Sequence, residues 1–289
     1  MNTRTGNYSI GFRMRGWTTN NTFSDVLSWT SEVGLGGVDI GKDADQVGQK
    51  VLDAGLWIGS ADLAEWRGMI SANAKTRQAA VATNKAYIES CSAYGPMNYF
   101  LVMLPEDASL SRADNFGYMV ESFTDLAQTL EANNAKVVIE GWPGPGALCC
   151  TPETCRAFFE AVPSSAMGLN YDPSHLIRMG IDPIRFLKEF IGRIYHVHGK
   201  DTEILPNNVY EYGTEQPATF VKAPPFGGHA WRYTIPGHGT TQWNEVFRIL
   251  VKNGYVGRVS IELEDANFND GGDEEKAGIL YAARYLESI

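Results

Sequence analysis

IYHVHGKD, residues Ile194 to Asp201, sets the reading of the whole chain. Two histidines stand one residue apart, followed by a lysine and an aspartate. Either both histidines form a metal box, or this is a strand in which only one meets a metal. In a strand, His196 and His198 share one face while Tyr195 and Val197 point the other way. Two residues of strand rise about 6.6 Å. A single ion with bonds of about 2.0–2.2 Å does not readily span both. His198, nearer the strand end, is then the expected ligand. His196 is expected to be a hydrogen-bonded interior histidine that supports it.

The rest of the chain says what kind of strand this is. Short β-branched runs followed by polar loops and helical periodicity recur from end to end. Expected strands are Tyr8–Phe12, Gly37–Ile40, Leu56–Gly59, Tyr99–Met103, Lys136–Glu140, Met167–Asp172, Arg193–His198 and Arg258–Leu263. Between them lie helical patterns at Thr22–Val33, Asp43–Ala54, Ala72–Ala93, Pro152–Ala161, Asp182–Phe190 and Asp273–Leu286. Another starts near Ser111 and carries Phe116, Met119, Val120, Phe123, Leu126 and Leu130 on one stripe, at helical spacing. A further one holds Trp243, Val246, Phe247 and Leu250 and stops at Asn253-Gly254. Eight strand–helix units predict an α/β fold, a (β/α)8 TIM barrel. The rival, a doubly wound sheet, lacks its GxGxxG loop after the first strand. The expectation is one domain over residues 1–289, with a long insertion at about 202–239 after the seventh strand. That insertion is rich in glycine and aromatics, among them Tyr210, Tyr212, Phe220, Trp231 and Tyr233. Loops of such length in a compact domain are usually functional, so it reads as a lid or substrate wall.

Composition bounds the function. The chain has 289 residues, 44% apolar and 20% charged, which describes a globular protein. Its formal net charge of −10 argues against a general nucleic-acid binder, which needs a positive surface. No apolar run is long enough for a membrane helix. The start, MNTRTGNYSIGF, lacks the apolar core of a secretory signal, so a cytoplasmic location is expected. The four cysteines, Cys91, Cys149, Cys150 and Cys155, form no CxxC pair or zinc framework and read as buried thiols.

In a TIM barrel the active site lies at the C-terminal ends of the strands. Four successive strands deliver a metal-capable residue there: VVIEGW gives Glu140, LNYDPSH gives Asp172, YHVHGKD gives His198 and VSIELED gives Glu262. Three carboxylates and one imidazole suit Mn²⁺ first, with Mg²⁺ or Co²⁺ as alternatives, better than structural zinc. Asp172 alone could instead start a turn, since Asp-Pro-Ser is good turn chemistry.

These motifs, with the tail PGHGTTQWNEVFRILVKNGYVGRVSIELED, resemble the xylose isomerase-like TIM barrels, also called sugar phosphate isomerase/epimerases. The resemblance covers Lys136 to Asp265; earlier, only the strand rhythm matches. It implies one divalent metal held by Glu140, Asp172, His198 and Glu262, with Glu140 and Glu262 also moving protons in epimerase-like members. His175 matches a histidine that contacts substrate or metal-bound water; a helix-start hydrogen bond is its other reading. Within the family, FGGHAWRYTIPGHG and NNVYEYG resemble enzymes of 3-keto-glycosides, the C-glycoside deglycosidase α subunits and related lyases. The deglycosidases carry a histidine base two residues before the first metal glutamate; this chain has Val138 there.

The implied chemistry begins with removal of a proton α to a sugar carbonyl. From a 3-keto-glycoside, β-elimination then releases the C1 substituent, a lyase reaction. A ketose 3-epimerase or aldose–ketose isomerase needs the same four ligands. An AP endonuclease-type nuclease needs a histidine-rich zinc cluster, and this chain has five histidines in total. The acid/base candidates are Glu140, Glu262, His175 and Lys200, with His238 in reserve. Lys200 could equally form an ion pair with Asp201 or another acid. Trp142, Trp231, Arg232 and His238 are candidate sugar contacts, with loop packing or an ordinary turn as the alternative for the last three. The expected partners are a small sugar or keto-glycoside, further copies of the chain and, by the resemblance, a smaller partner subunit.

Overall fold

The computed structural model describes residues 1–289. Its strands are β1 Ile10–Arg13, β2 Gly37–Ile40, β3 Trp57–Asp62, β4 Asn98–Val102, β5 Lys136–Glu140, β6 Met167–Tyr171, β7 Ile194–Gly199, β8 Asp201–Ile204, β9 Trp231–Thr234 and β10 Val259–Ile261. Eight of them form a closed barrel in the order β1-β10-β7-β6-β5-β4-β3-β2; β8 and β9 make a separate two-stranded sheet. The helices are α1 Phe23–Glu32, α2 Ala44–Asp53, α3 Ala74–Ser90, α4 Arg112–Ala132, α5 Pro152–Ala161, α6 Pro173–Arg178, α7 Pro183–Phe190, α8 Pro206–Tyr212, α9 Trp243–Lys252 and α10 Asp273–Glu287. This is a (β/α)8 barrel. No helix is long and apolar enough to cross a membrane.

Of the differences from the sequence expectation, most shift a strand end by one or two residues, the sixth strand stopping at Tyr171 so that Asp172 starts the helix α6; three others bear on the site. The third strand reaches Asp62, because Ala61 and Asp62 pair with Tyr99 and Phe100 of β4. The last barrel strand stops at Ile261, so Glu262 lies just past it. The insertion is not a bare loop: it holds β8, α8 and β9. The backbone packs as two compact units, Met1–Val38 with Asp172–Glu189 and His198–Ile289, and Asp39–Tyr171 with Phe190–Val197.

In the first unit β1 and β10 run parallel, Ile10 opposite Val259 and Phe12 opposite Ile261. α10 buries Ile279, Ala282, Ala283 and Leu286. Phe12, Trp17 and Trp29 pack as a ring cluster, Trp17 edge-on to Trp29 at 5.0 Å. The insertion returns as an antiparallel hairpin, Asp201 opposite Thr234 and Ile204 opposite Trp231. Asp201, fully buried, joins its two ends. Its carboxylate accepts from Thr202 N at 2.8 Å, Thr241 N at 2.9 Å, Thr241 Oγ1 at 2.6 Å and Trp243 Nε1 at 3.2 Å. Burial raises its carboxyl above the usual range, and the hydrogen bonds from Thr241, Thr202 and Gly237 work against that rise. Gly239 must be glycine, since a Cβ there would strike this carboxylate.

In the second unit β3 to β7 pair in parallel. β5 is buried from Val137 to Glu140 and β6 throughout. Both faces are covered, which is why these strands read as continuous apolar runs and not as alternation. α4 presents Met119, Phe123, Leu126 and Leu130, the predicted stripe, and Phe123 meets Phe158 of α5 edge-on at 6.0 Å. All four cysteines are buried thiols outside any disulfide. His196 Nε2 lies 2.9 Å from Asp39 Oδ2, both groups within 1% exposure. Gly59 lies against this pair, and a Cβ there would collide with Asp39.

Two outcomes are expected. His196→Ala leaves the Asp39 carboxylate buried beside a void and destabilises the fold by about 3–5 kcal/mol, read from urea unfolding. Asp201→Ala leaves the Thr241 and Trp243 donors without their acceptor, at about 1–3 kcal/mol each. Hydrogen exchange should then accelerate across residues 201–243 while β5 amides keep their protection.

Candidate functional site

Chain geometry at the strand ends builds the site. Within the first unit, Asp172 follows β6 and caps α6: its Oδ1 accepts from Ser174 N at 2.8 Å. Pro173 at the first helical position needs no donor there, so Asp-Pro-Ser is both turn chemistry and a helix start. That leaves Oδ2 to face inward. It lies 3.4 Å from His175 Nε2, 3.2 Å from Lys200 Nζ and 3.9 Å from His198 Nδ1. His198 Nδ1 is also 3.5 Å from Glu262 Oε2. The candidate ligand atoms of Asp172, His198 and Glu262 lie within 4.8 Å of one another, and all three residues are buried.

Lys200 stands two residues past His198, on the same side of the extended chain. It is 1% exposed, which for an ammonium demands partners. They are Glu262 Oε2, in hydrogen-bond contact, Glu264 Oε2 at 3.0 Å and Asp172 Oδ2. The Tyr233 ring covers the ammonium at 4.7 Å. Lys200 thus pairs with other acids, and Asp201 turns away into the insertion's anchor. Glu262 Oε1 meets Arg13 Nε and Arg15 Nη1, each at 3.4 Å, and Arg15 also reaches Glu264 Oε1 at 2.5 Å. Burial alone would raise the Glu262 carboxyl. Lys200 first, then His198 and Arg15, outweigh it and hold the group well below the usual carboxylate range.

A second chain of contacts runs from His175. Its Nδ1 is 2.6 Å from Tyr233 Oη, and Arg178 Nη1 donates to the same oxygen at 2.7 Å. A guanidinium can only donate, so Tyr233 Oη accepts from Arg178, while His175 Nε2 faces both Asp172 Oδ2 at 3.4 Å and Lys200 Nζ at 3.3 Å. Burial raises the Tyr233 phenol, and Lys200 and Arg178 oppose that rise. Thr202 Oγ1 donates to Ser174 O at 2.9 Å and ties the insertion's first strand to α6.

In the second unit, Glu140 ends β5, is 2% exposed and accepts a hydrogen bond from Asn170 Nδ2, its register partner on β6. Trp142 follows it, half-buried, with Gly144 against its ring.

The remaining candidates sit in the insertion. Trp231 is half-buried, with Arg178 stacked on its ring at 4.5 Å. Arg232 Nε pairs with Glu203 at 2.6 Å. His238 lies in an exposed turn, its N–H bound to Ile235 O at 3.1 Å. Sequence reading missed Glu264, Arg13, Arg15 and Arg178. Had the strand-end rule been applied to the first strand, FRMR would have offered both arginines. Glu264 was in plain view in ELED, two residues beyond Glu262.

The donor set fits a divalent ion. Two carboxylates and an imidazole, buried and convergent, are the oxygen-rich chemistry that Mn²⁺ or Mg²⁺ takes.

Residues 27–289 match the family model described as xylose isomerase-like TIM barrel. An inosose dehydratase of Clostridium tetani is 29% identical over 159 residues, 55% of this chain and 50% of that protein. For it and similar curated relatives, the chain spans about half their length. An inosose dehydratase of Clostridium perfringens is 24% identical over 283 residues, 89% of this chain and 90% of that protein. Among solved structures, a 3-keto-D-glucoside 4-epimerase from E. coli superposes with a TM-score of 0.68 at 14% identity, covering 96% and 98% of the two chains; this likeness concerns the fold. With its strands closed in barrel order and the family model matched almost from end to end, this chain belongs to the xylose isomerase-like TIM barrels.

Proposed function

We propose that the chain is a divalent-metal-dependent enzyme that removes a proton α to a sugar carbonyl and cleaves 3-keto-glycosides by β-elimination. The observation that carries this reading is the buried set of Asp172, His198 and Glu262 with Lys200 and His175 beside it: metal donors and proton carriers together. Glu140, which ends β5, is proposed as the fourth ligand, the role that the resemblance to the family implies for it. Mn²⁺ is the preferred ion. When bound, it supplies an electrophile that stabilises an oxyanion on the substrate.

The chain's own residues do the rest. A carboxylate, Glu140 or Glu262, accepts the proton from C2, and the electron pair delocalises onto the C3 oxygen. That pair then forms the C1–C2 double bond as the C1–O bond breaks. The departing oxygen takes a proton from Lys200 or from the Tyr233-linked His175, giving an alcohol and an unsaturated keto sugar. The buried Lys200 ammonium, held by Asp172, Glu262 and Glu264, acts in this reading as a donor and as a counter-charge to the developing enediolate.

The second reading is a ketose 3-epimerase, favoured by the two carboxylates Glu140 and Glu262, one to take a proton and one to return it. The AP endonuclease-type alternative falls back further: the buried set holds one histidine, not a histidine-rich cluster. Small sugars are the proposed substrates; a homo-oligomer with a smaller partner subunit and a cytoplasmic setting remain proposals of the same kind.

Metal analysis tests the centre. His198→Ala and Glu140→Gln should each lose at least about tenfold in Mn²⁺ affinity; unchanged metal content in both would refute the site. Turnover tests the chemistry. The Mn²⁺-loaded protein should release the alcohol from a 3-keto-glucoside, seen by mass spectrometry. Deuterium exchange into a free ketose with no release from the keto-glucoside would instead establish the epimerase.

A further inference from the structure

Two acids of the first unit each turn one oxygen toward His198. Asp172 Oδ1 is taken by Ser174 N at 2.8 Å, and Glu262 Oε1 faces Arg13 and Arg15, each at 3.4 Å. The inward oxygens are Asp172 Oδ2 and Glu262 Oε2, 3.9 and 3.5 Å from His198 Nδ1. An ion held by His198 therefore draws on these two oxygens. They are also the two that the Lys200 ammonium meets, Asp172 Oδ2 at 3.2 Å and Glu262 Oε2 in hydrogen-bond contact. All of these residues belong to the first unit.

Ammonium and metal ion thus compete for the same lone pairs. An ion bonded to oxygens at about 2.0–2.2 Å would stand beside the ammonium, and two positive charges that close repel strongly away from water. The lysine has somewhere else to go. Its stem is flexible, and Glu264 Oε2 already lies 3.0 Å from Nζ. Glu264 stands outside the candidate donor set. Its other oxygen is held by Arg15 Nη1 at 2.5 Å, which fixes the carboxylate in place. The Tyr233 ring, 4.7 Å from Nζ, adds a face that accepts a cation.

We propose that Lys200 is a built-in competitor of the divalent ion: ammonium and ion hold Asp172 Oδ2 and Glu262 Oε2 by turns, and Glu264 receives the ammonium when the ion takes them. The lysine thereby lowers the affinity of the centre for the ion, and Glu264 limits how far. The proposal rests on the metal-centre reading above and goes beyond it, since it gives Lys200 and Glu264 a part in metal affinity that is separate from proton transfer. Both are positioning residues in this role, acting on the ion through Asp172 and Glu262.

The test is Mn²⁺ titration of the whole chain by calorimetry, with His198→Ala as the baseline for uptake elsewhere. Lys200→Met should bind Mn²⁺ about tenfold or more tighter than wild type. Lys200→Gln keeps a donor for the carboxylates, should shift affinity the same way, and decides if Lys200→Met does not fold. Glu264→Gln should weaken Mn²⁺ binding by about tenfold. In the Lys200→Met background it should have no such effect, because no ammonium is left to receive. Without Mn²⁺, Lys200→Met should melt below wild type, and it should gain more in Tm when Mn²⁺ is added. A lysine that only props the carboxylates predicts the opposite sign, neutral variants that bind Mn²⁺ equally or more weakly, and that result overturns the proposal. An equal loss from Glu264→Gln with and without Lys200 also overturns it. If neither wild type nor the neutral variants take up Mn²⁺ above the baseline, the metal-centre reading fails and the proposal falls with it. If wild type binds and the neutral variants bind no tighter, that reading stands and the proposal alone falls.

Discussion

Everything at this centre depends on the satisfaction of one buried ammonium. Lys200 is withdrawn from water and meets Asp172, Glu262 and Glu264 at once. A lone buried charge is very costly, and three converging carboxylates would repel one another. Each side solves the other's problem. The acids come from separate segments, one at the start of α6 and two just past β10. The ammonium therefore also fixes where those segments lie. Arg13 and Arg15 complete the balance from the end of β1. The same balance keeps Glu262 ionised, which a metal ligand or a proton acceptor requires.

The period of a strand explains how so much chemistry comes from one short run. His196, His198 and Lys200 alternate with Tyr195, Val197 and Gly199. His196 is bound to Asp39, His198 lies among the candidate metal donors and Lys200 pairs with the acids beside it. A one-residue slip would turn all three to the opposite face. Gly199, between the last two, has Leu286 of α10 close to where a Cβ would stand.

Much of this was legible in the sequence. The eight-fold rhythm, the bounds of β2 and β5 and the acidic strand ends followed from apolar runs and the rule that barrel sites lie at C-terminal ends. What escaped reading was set by partners remote in sequence. For Lys200 the sequence offers Asp201 or another acid as partner, and cannot name the acid. The carboxylates Lys200 meets are 28, 62 and 64 residues away from it in the chain, distances at which no periodicity carries a signal. Arg178 has no motif at all; its place follows from α6, a helix of six residues too short for periodic patterning. The insertion was recognised by length and aromatics. Its hairpin was not, because Trp231–Thr234 pairs with a strand that begins 30 residues earlier.

The Asp201 clasp has a consequence for how this chain can diversify. One side chain holds both the departure of the insertion and its return at Thr241 and Trp243. The entropy of closing a loop grows only slowly with its length, and here the closure is enforced at the neck. The tip between α8 and β9 is therefore the part whose length is least constrained, while Tyr233 of β9 stays over Lys200 and against His175. This tip could be lengthened, shortened or rewritten while the neck delivers Lys200 and Trp243 to the same positions.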